Sequence, residues 1–153
     1  MSSLELKVPP LALVAAVAAL MALLARWLPA LDFTLPAKVV AVAALAAAGA
    51  TFAALGVRAF VRARTTLDPR VPHESSRLVR SGVYRASRNP MYLGMLLLLA
   101  AWGLHLGNLA ALLGLPAFVL YMNRFQIGPE ERLLRQKFGP EFDQYRAAVR
   151  RWL

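Results

Sequence analysis

Charged residues are missing from three long stretches of this chain, and that decides most of what it can fold into. No Asp, Glu, Lys or Arg occurs in the 18 residues between Lys7 and Arg26, the 19 between Lys38 and Arg58, or the 35 between Arg88 and Arg124. A helix of about 20 apolar residues crosses the hydrocarbon core of a bilayer, so each of the first two stretches fits one span. The pattern predicts helices over 11–28 and 37–60. The third stretch is too long for one span and slightly short for two. It divides at His105-Leu106-Gly107-Asn108 into arms at 91–104 and 109–123. Each arm is roughly 15 residues, or about 22 Å of helix, against a core about 30 Å thick. The expected fold class is therefore an all-α integral membrane protein with about four membrane-embedded helices: two spans plus a short helical hairpin.

The remaining residues are strongly basic. The chain is 59% hydrophobic and only 17% charged, yet its formal net charge is +10. Eight arginines fall between Arg58 and Arg88 and seven Lys or Arg between Arg124 and Arg151, with Lys7 before the first span; Arg26 and Lys38 alone lie beyond the opposite ends. Cations that flank apolar spans follow the positive-inside rule and suit anionic headgroups. This makes membrane lipids the expected partner and argues against nucleic acid, which would call for a basic soluble surface. With four embedded segments, both termini and the long loop belong in the cytoplasm. The abundance of Ala and Arg points to a prokaryotic plasma membrane. There is no Cys and there are two His, so thiolate chemistry is excluded and no metal site is expected. The first apolar run is followed by a second one rather than by a soluble domain, and Trp27-Leu28-Pro29 makes a poor cleavage site, so it reads as a retained helix.

No polar linker separates two apolar cores, so residues 1–153 are read as one domain, with a helix pair over 1–60 and a motif-bearing part over 61–153. Within the pair, Gly49, Ala53 and Gly56 leave room for a close neighbour. Pro90 suits the first turn of a helix. A helix is expected over 130–138, stopped by Gly139-Pro140. An amphipathic one follows over 141–152, with Phe142, Tyr145, Val149 and Trp152 on one face, lying on the membrane surface. Trp102 and Trp152 read as interfacial anchors. Glu130-Glu131 opens its helix, where the dipole favours acids.

Polar residues gather at 75–92 and 123–145, on the same side of the membrane. The first cluster contains Leu78-Val79-Arg80-Ser81-Gly82-Val83-Tyr84-Arg85 and then Arg88-Asn89-Pro90-Met91-Tyr92-Leu93-Gly94; the second contains Glu130-Glu131, Phe138-Gly139 and Tyr145. These linked motifs, over about 65–153, resemble the isoprenylcysteine carboxyl methyltransferase family and its phospholipid methyltransferase relatives. The resemblance implies a membrane methyltransferase that uses S-adenosylmethionine without a Gly-rich strand–turn–helix. It implies a cofactor enclosed from the cytoplasm by Arg77, Leu78, Val79, Tyr84, Asn89, Pro90, Tyr92 and Glu130. Asn89 stands where many members have His, and Asn cannot titrate near neutral pH. The family's substrate-side arginine aligns with Gln126, with Arg124 two positions away, so both are taken as substrate-binding candidates. No catalytic base is assigned.

The implied reaction is methyl transfer to a carboxylate, amine or thiol on a lipophilic or lipid-modified acceptor reaching the site from the bilayer. Two other readings keep the same architecture: a noncatalytic scaffold or lipid binder, and a membrane sterol-type reductase using nicotinamide.

Overall fold

The structure is a computed structural model that describes residues 5–63 and 78–153, and within those residues it is helical with no strand. Helix α1 runs over Pro10–Trp27 and α2 over Lys38–Ala63. Both are long and apolar enough to cross a membrane. Their side chains face outward to an extent that a water-soluble core helix would not tolerate: Trp27 and Leu11 are each 71% exposed and Val39 is 81% exposed. Helix α3 covers Pro90–Leu106, with Pro90 at its first position as expected.

Helix α3 packs tightly on α2, and the cause is the glycines. A Cβ placed on Gly94 would lie 2.6 Å from the carbonyl oxygen of Gly49 and 2.9 Å from the Ala53 nitrogen; one on Gly56 would strike the Met91 side chain. The small residues that the sequence marks on α2 are thus where α3 touches it. On the other side, α1 closes over a core of Val17, Met21, Leu99, Phe118, Met122 and Ile127. The Trp102 indole donates 3.0 Å to the Ala18 carbonyl and stacks on His105, so this tryptophan also ties α3 to α1.

The last third extends the expected hairpin, whose second arm does not stop near 123. A 3₁₀ turn at Ala111–Leu113 leads into α4 (Gly114–Tyr121), a π-helical segment (Met122–Ile127) and α5 (Gly128–Phe138). These segments of 8, 6 and 11 residues run on with helical backbone at every junction, as one rod of about 37 Å. Its first ten residues, 114–123, are uncharged, and from Arg124 on the rod carries charge and continues past the apolar stretch. Pro129 explains the π turns. Lacking an N–H, it cannot bond the carbonyl of Phe125, four residues back. The helix widens so that Gly128 N–H reaches Asn123 instead, and the freed Phe125 carbonyl accepts from Leu6 N–H at 3.0 Å. Glu130 and Glu131 lie in the first turn of α5, as expected, and the backbone ahead of them is already helical.

Gly139 takes φ +49 and turns the chain sharply into α6 (Pro140–Ala148). This helix ends four residues before the expected stop at 152. Phe142 and Tyr145 are buried against the protein, and Val149 is extended.

The four long elements alternate in direction. At one end, residues 28–33 meet 107–109: Asn108 donates to the Leu28 carbonyl and to Asp32, and Phe33 N–H to Gly107. At the other end, residues 5–6, 84–92, 125–132 and 145–152 come together.

Candidate functional site

That second end is built on the rod. Glu130 and Glu131 are consecutive on α5 and point into different surroundings. Glu131 is held by two guanidinium groups. Arg88 donates to Oε1 through Nε at 3.3 Å and Nη2 at 2.8 Å, and Arg151 donates through Nε to Oε1 at 3.2 Å and through Nη2 to Oε2. The Arg88 and Glu131 side chains are 10% and 11% exposed, and Arg151 36%. Burial pushes the Glu131 carboxyl up, but the hydrogen bonds from Arg151 and then Arg88 outweigh it, so it lies below the usual carboxylate range.

Arg88 also explains why α6 stops early. Its Nη1 donates to the carbonyls of Arg146 (3.1 Å) and Val149, and its own N–H donates to the Arg150 carbonyl at 3.0 Å. These carbonyls at and beyond the helix end take their donors from residue 88 rather than from a further turn. The tail is then drawn across: Ser87 Oγ and Asn89 Nδ2 both donate to the Arg151 carbonyl (3.3 and 3.0 Å), and the Trp152 indole donates to Asn123 Oδ1 at 3.2 Å. Trp152, partly buried, thus packs against the protein core. Tyr145 donates from its buried hydroxyl to the Tyr84 carbonyl at 2.8 Å.

Glu130 has a different setting. The Tyr92 hydroxyl donates to its Oε2 at 3.2 Å, and the buried Gln126 amide donates to Tyr92 at 3.4 Å. Among the described residues no cation pairs with it. Burial pushes its carboxyl up to about 7, with the Glu131 charge adding to the rise and the Tyr92 hydrogen bond opposing it. Tyr84 faces the same carboxylate: burial, then the Glu130 charge, raises its phenol. A desolvated carboxylate with one neutral donor is suited to receive a cation or a hydroxyl group.

The candidates from the sequence fall into four sets. Tyr92, Gln126 and Glu130 form one hydrogen-bonded chain, with Tyr84 beside it and Pro90 buried at the foot of α3. Asn89 is engaged by the C-terminal tail. Leu78 and Val79 instead line a cleft against the end of α2. Arg124 is exposed, its guanidinium over the Phe125 ring at 5.8 Å, on a different face of the rod from Gln126. Arg77 lies outside the described residues.

Sequence reasoning placed Ser87, Arg88 and Asn123 in the two polar clusters without giving them a role at the site, and it missed Arg151. The early Gly139-Pro140 stop is a weak hint, since it turns the basic tail back toward the motif.

A family model for phospholipid methyltransferases matches residues 37–141. The chain is also similar to an uncharacterized protein of Haemophilus influenzae, 54% identical over 63 residues, which is 41% of this chain and all of that protein. No solved structure matches.

Proposed function

The chain belongs to the phospholipid methyltransferase family, and from that premise we propose that it transfers a methyl group from S-adenosylmethionine to a lipophilic or membrane-delivered acceptor: a carboxylate, an amine or a thiol. The observation that carries this reading is Glu130, a buried carboxylate whose partner among the described residues is the neutral Tyr92 hydroxyl. When bound, S-adenosylmethionine supplies an electrophilic methyl on a sulfonium, and it also carries an ammonium and ribose hydroxyls. Glu130 fits a cationic or hydroxyl part of that molecule. Tyr92 orients the carboxylate, and Gln126 orients Tyr92. Asn89, bound to the tail, contributes position and no proton transfer.

The two-guanidinium clamp on Glu131 fixes the α5 turn that carries Glu130, and so holds the carboxylate in place before any ligand arrives. Methyl transfer depends on holding donor and acceptor in line at close range, so a rigid wall is the expected contribution of the protein. The exposed apolar faces of the helices leave the acceptor a lateral route from lipid. The embedding we infer is four segments, α1, α2, α3 and the apolar first part of the rod, with α5 beyond it and both termini in the cytoplasm of a prokaryotic plasma membrane.

Calorimetric titration of S-adenosylmethionine into the detergent-purified protein tests the reading, with Glu130→Ala beside it. Saturable binding lost in the variant supports it. Affinity should also rise as pH increases through about 7, because a cation binds the ionised carboxylate. A folded wild-type protein that binds nothing would return the choice to a noncatalytic lipid binder, and binding of nicotinamide instead would favour a reductase.

A further inference from the structure

The cleft between the end of α2 and residues 78–85 has a volume of about 850 Å³ and a lining of two kinds. Leu55, Ala59, Val79 and Val83 give it an apolar floor, while Arg58, Arg62, Arg80 and Arg85 stand around it. Leu55, Arg58, Ala59 and Arg62 are spaced i, i+3, i+4 and i+7, so they share one face of α2 and place two guanidinium groups one turn apart. All four arginines are exposed. Arg80 pairs with Glu141 at 3.1 Å; among the described residues no carboxylate pairs with Arg58, Arg62 or Arg85.

Such an arrangement repels the net-cationic sulfonium cofactor and attracts an anion. Beside Arg58 and Arg62 the same helix exposes Val57 and Val61, and toward its other end Leu55, Val40 and Val39, an apolar surface along which acyl chains would lie. A free phosphate would use the arginines and leave the apolar floor uncovered. A lipid satisfies both.

We propose that this cleft holds the headgroup of an anionic phospholipid from the leaflet at this end of the bundle, its phosphate among Arg58, Arg62 and Arg85 and its glycerol and upper chains on Leu55, Ala59 and Val83. The site is separate from the Glu130 end and does not rest on the methyl-transfer reading. By packing against residues 78–85, the bound lipid braces the segment whose Tyr84 meets Phe60 of α2 edge-on at 5.6 Å.

The test is native mass spectrometry of the full chain released from mixed nanodiscs of phosphatidylglycerol and phosphatidylcholine. The wild type should retain phosphatidylglycerol in preference to phosphatidylcholine. Arg58→Gln/Arg62→Gln should lower that preference about tenfold, whereas Arg135→Gln/Lys137→Gln on α5 should leave it unchanged. If the α2 double variant fails to fold, Arg85→Gln, on a short turn outside the helix, should lower the preference about fivefold by itself. Equal retention of the two lipids by the wild type overturns the site, as does an unchanged preference in folded α2 variants. Complete displacement by inorganic phosphate would also overturn it, marking a phosphate site instead of a lipid one.

Discussion

Two neighbouring carboxylates on α5 end up with opposite proton affinities. Glu131 lies below the usual range because Arg151 and Arg88 grip it, while Glu130 is raised to about 7 because burial meets no cation. Each shift has a stability consequence of definite sign. Glu130 has a folded value above its ordinary 4.5, so the folded state holds a proton that the unfolded chain gives up; stability should fall as pH rises from 4.5 to about 7. Glu130→Gln removes that titration. The variant should unfold at a higher temperature than wild type at pH 8, show no such gain at pH 4, and still lose cofactor binding; equal melting temperatures at pH 8 would contradict the assignment. For Glu131 the sign reverses, and its contribution is lost as pH drops through its depressed value. Arg88→Ala strips Glu131 of its most buried partner and leaves the carbonyls of Arg146 and Val149 without their donor, a loss of about 3–5 kcal/mol. Arg151→Ala, at a more exposed position, should cost only about 1–2 kcal/mol. Thermal melts in one detergent would rank the two, and Arg88→Lys should not recover the loss, since an ammonium lacks the fork that reaches both carboxylate and carbonyls.

Among the elements, α1, α2 and α3 were legible because charge gaps and Pro90 mark them locally. Their observed ends lie within three residues of the expected ones. The continuity of the rod was not legible: the sequence predicts its parts as separate helices at 109–123 and 130–138, and the Leu6 N–H that satisfies the freed Phe125 carbonyl comes from far away in sequence. Gly128-Pro129 reads locally as a break. Likewise α6 was drawn to 152 on amphipathic spacing, and what ends it is Arg88, some 60 residues earlier. Half of the site was legible for the same reason: Tyr92 and Glu130 sit in recognisable motifs, whereas Arg151 and Asn123 join through tertiary contacts. The tightest element contact gives a prediction of its own. Gly94→Ala puts a methyl 2.6 Å from the Gly49 carbonyl, where backbone has to move, so α2 and α3 should separate at a cost of about 1–3 kcal/mol. Gly82→Ala, with nothing within 4 Å, carries only the strain of its positive φ and should cost about 1 kcal/mol. A larger loss at Gly82 than at Gly94 would mean that the helix contact matters less than the turn.

For the whole molecule, polar chemistry is divided between two ends by an apolar bundle. Asn108, Asp32 and the Leu28 carbonyl close the far end among themselves, while the Glu130 site gathers at the other end with Arg88, Arg132 and Arg151. At that end Glu5 meets Arg132 at 2.7 Å, so the N-terminal segment lies beside the start of α5. The alternating directions of the four long elements bring this about, and they place residues 28–37 together with the turn at 107–110 at the far end. The absence of Cys makes the arrangement directly measurable, because any introduced thiol is the sole target. Lys7→Cys and Gln136→Cys, both exposed at the site end, should react with an impermeant maleimide only after cells are lysed; Ala30→Cys and Thr34→Cys, exposed at the far end, should react in intact spheroplasts. The cation distribution is the reason to expect this orientation over its inverse. Labelling of Lys7→Cys and Gln136→Cys on opposite sides would mean an odd number of crossings and break the four-segment embedding. Labelling of both in intact cells, with Ala30→Cys protected, would keep the embedding and turn the site outward, away from a cytoplasmic cofactor.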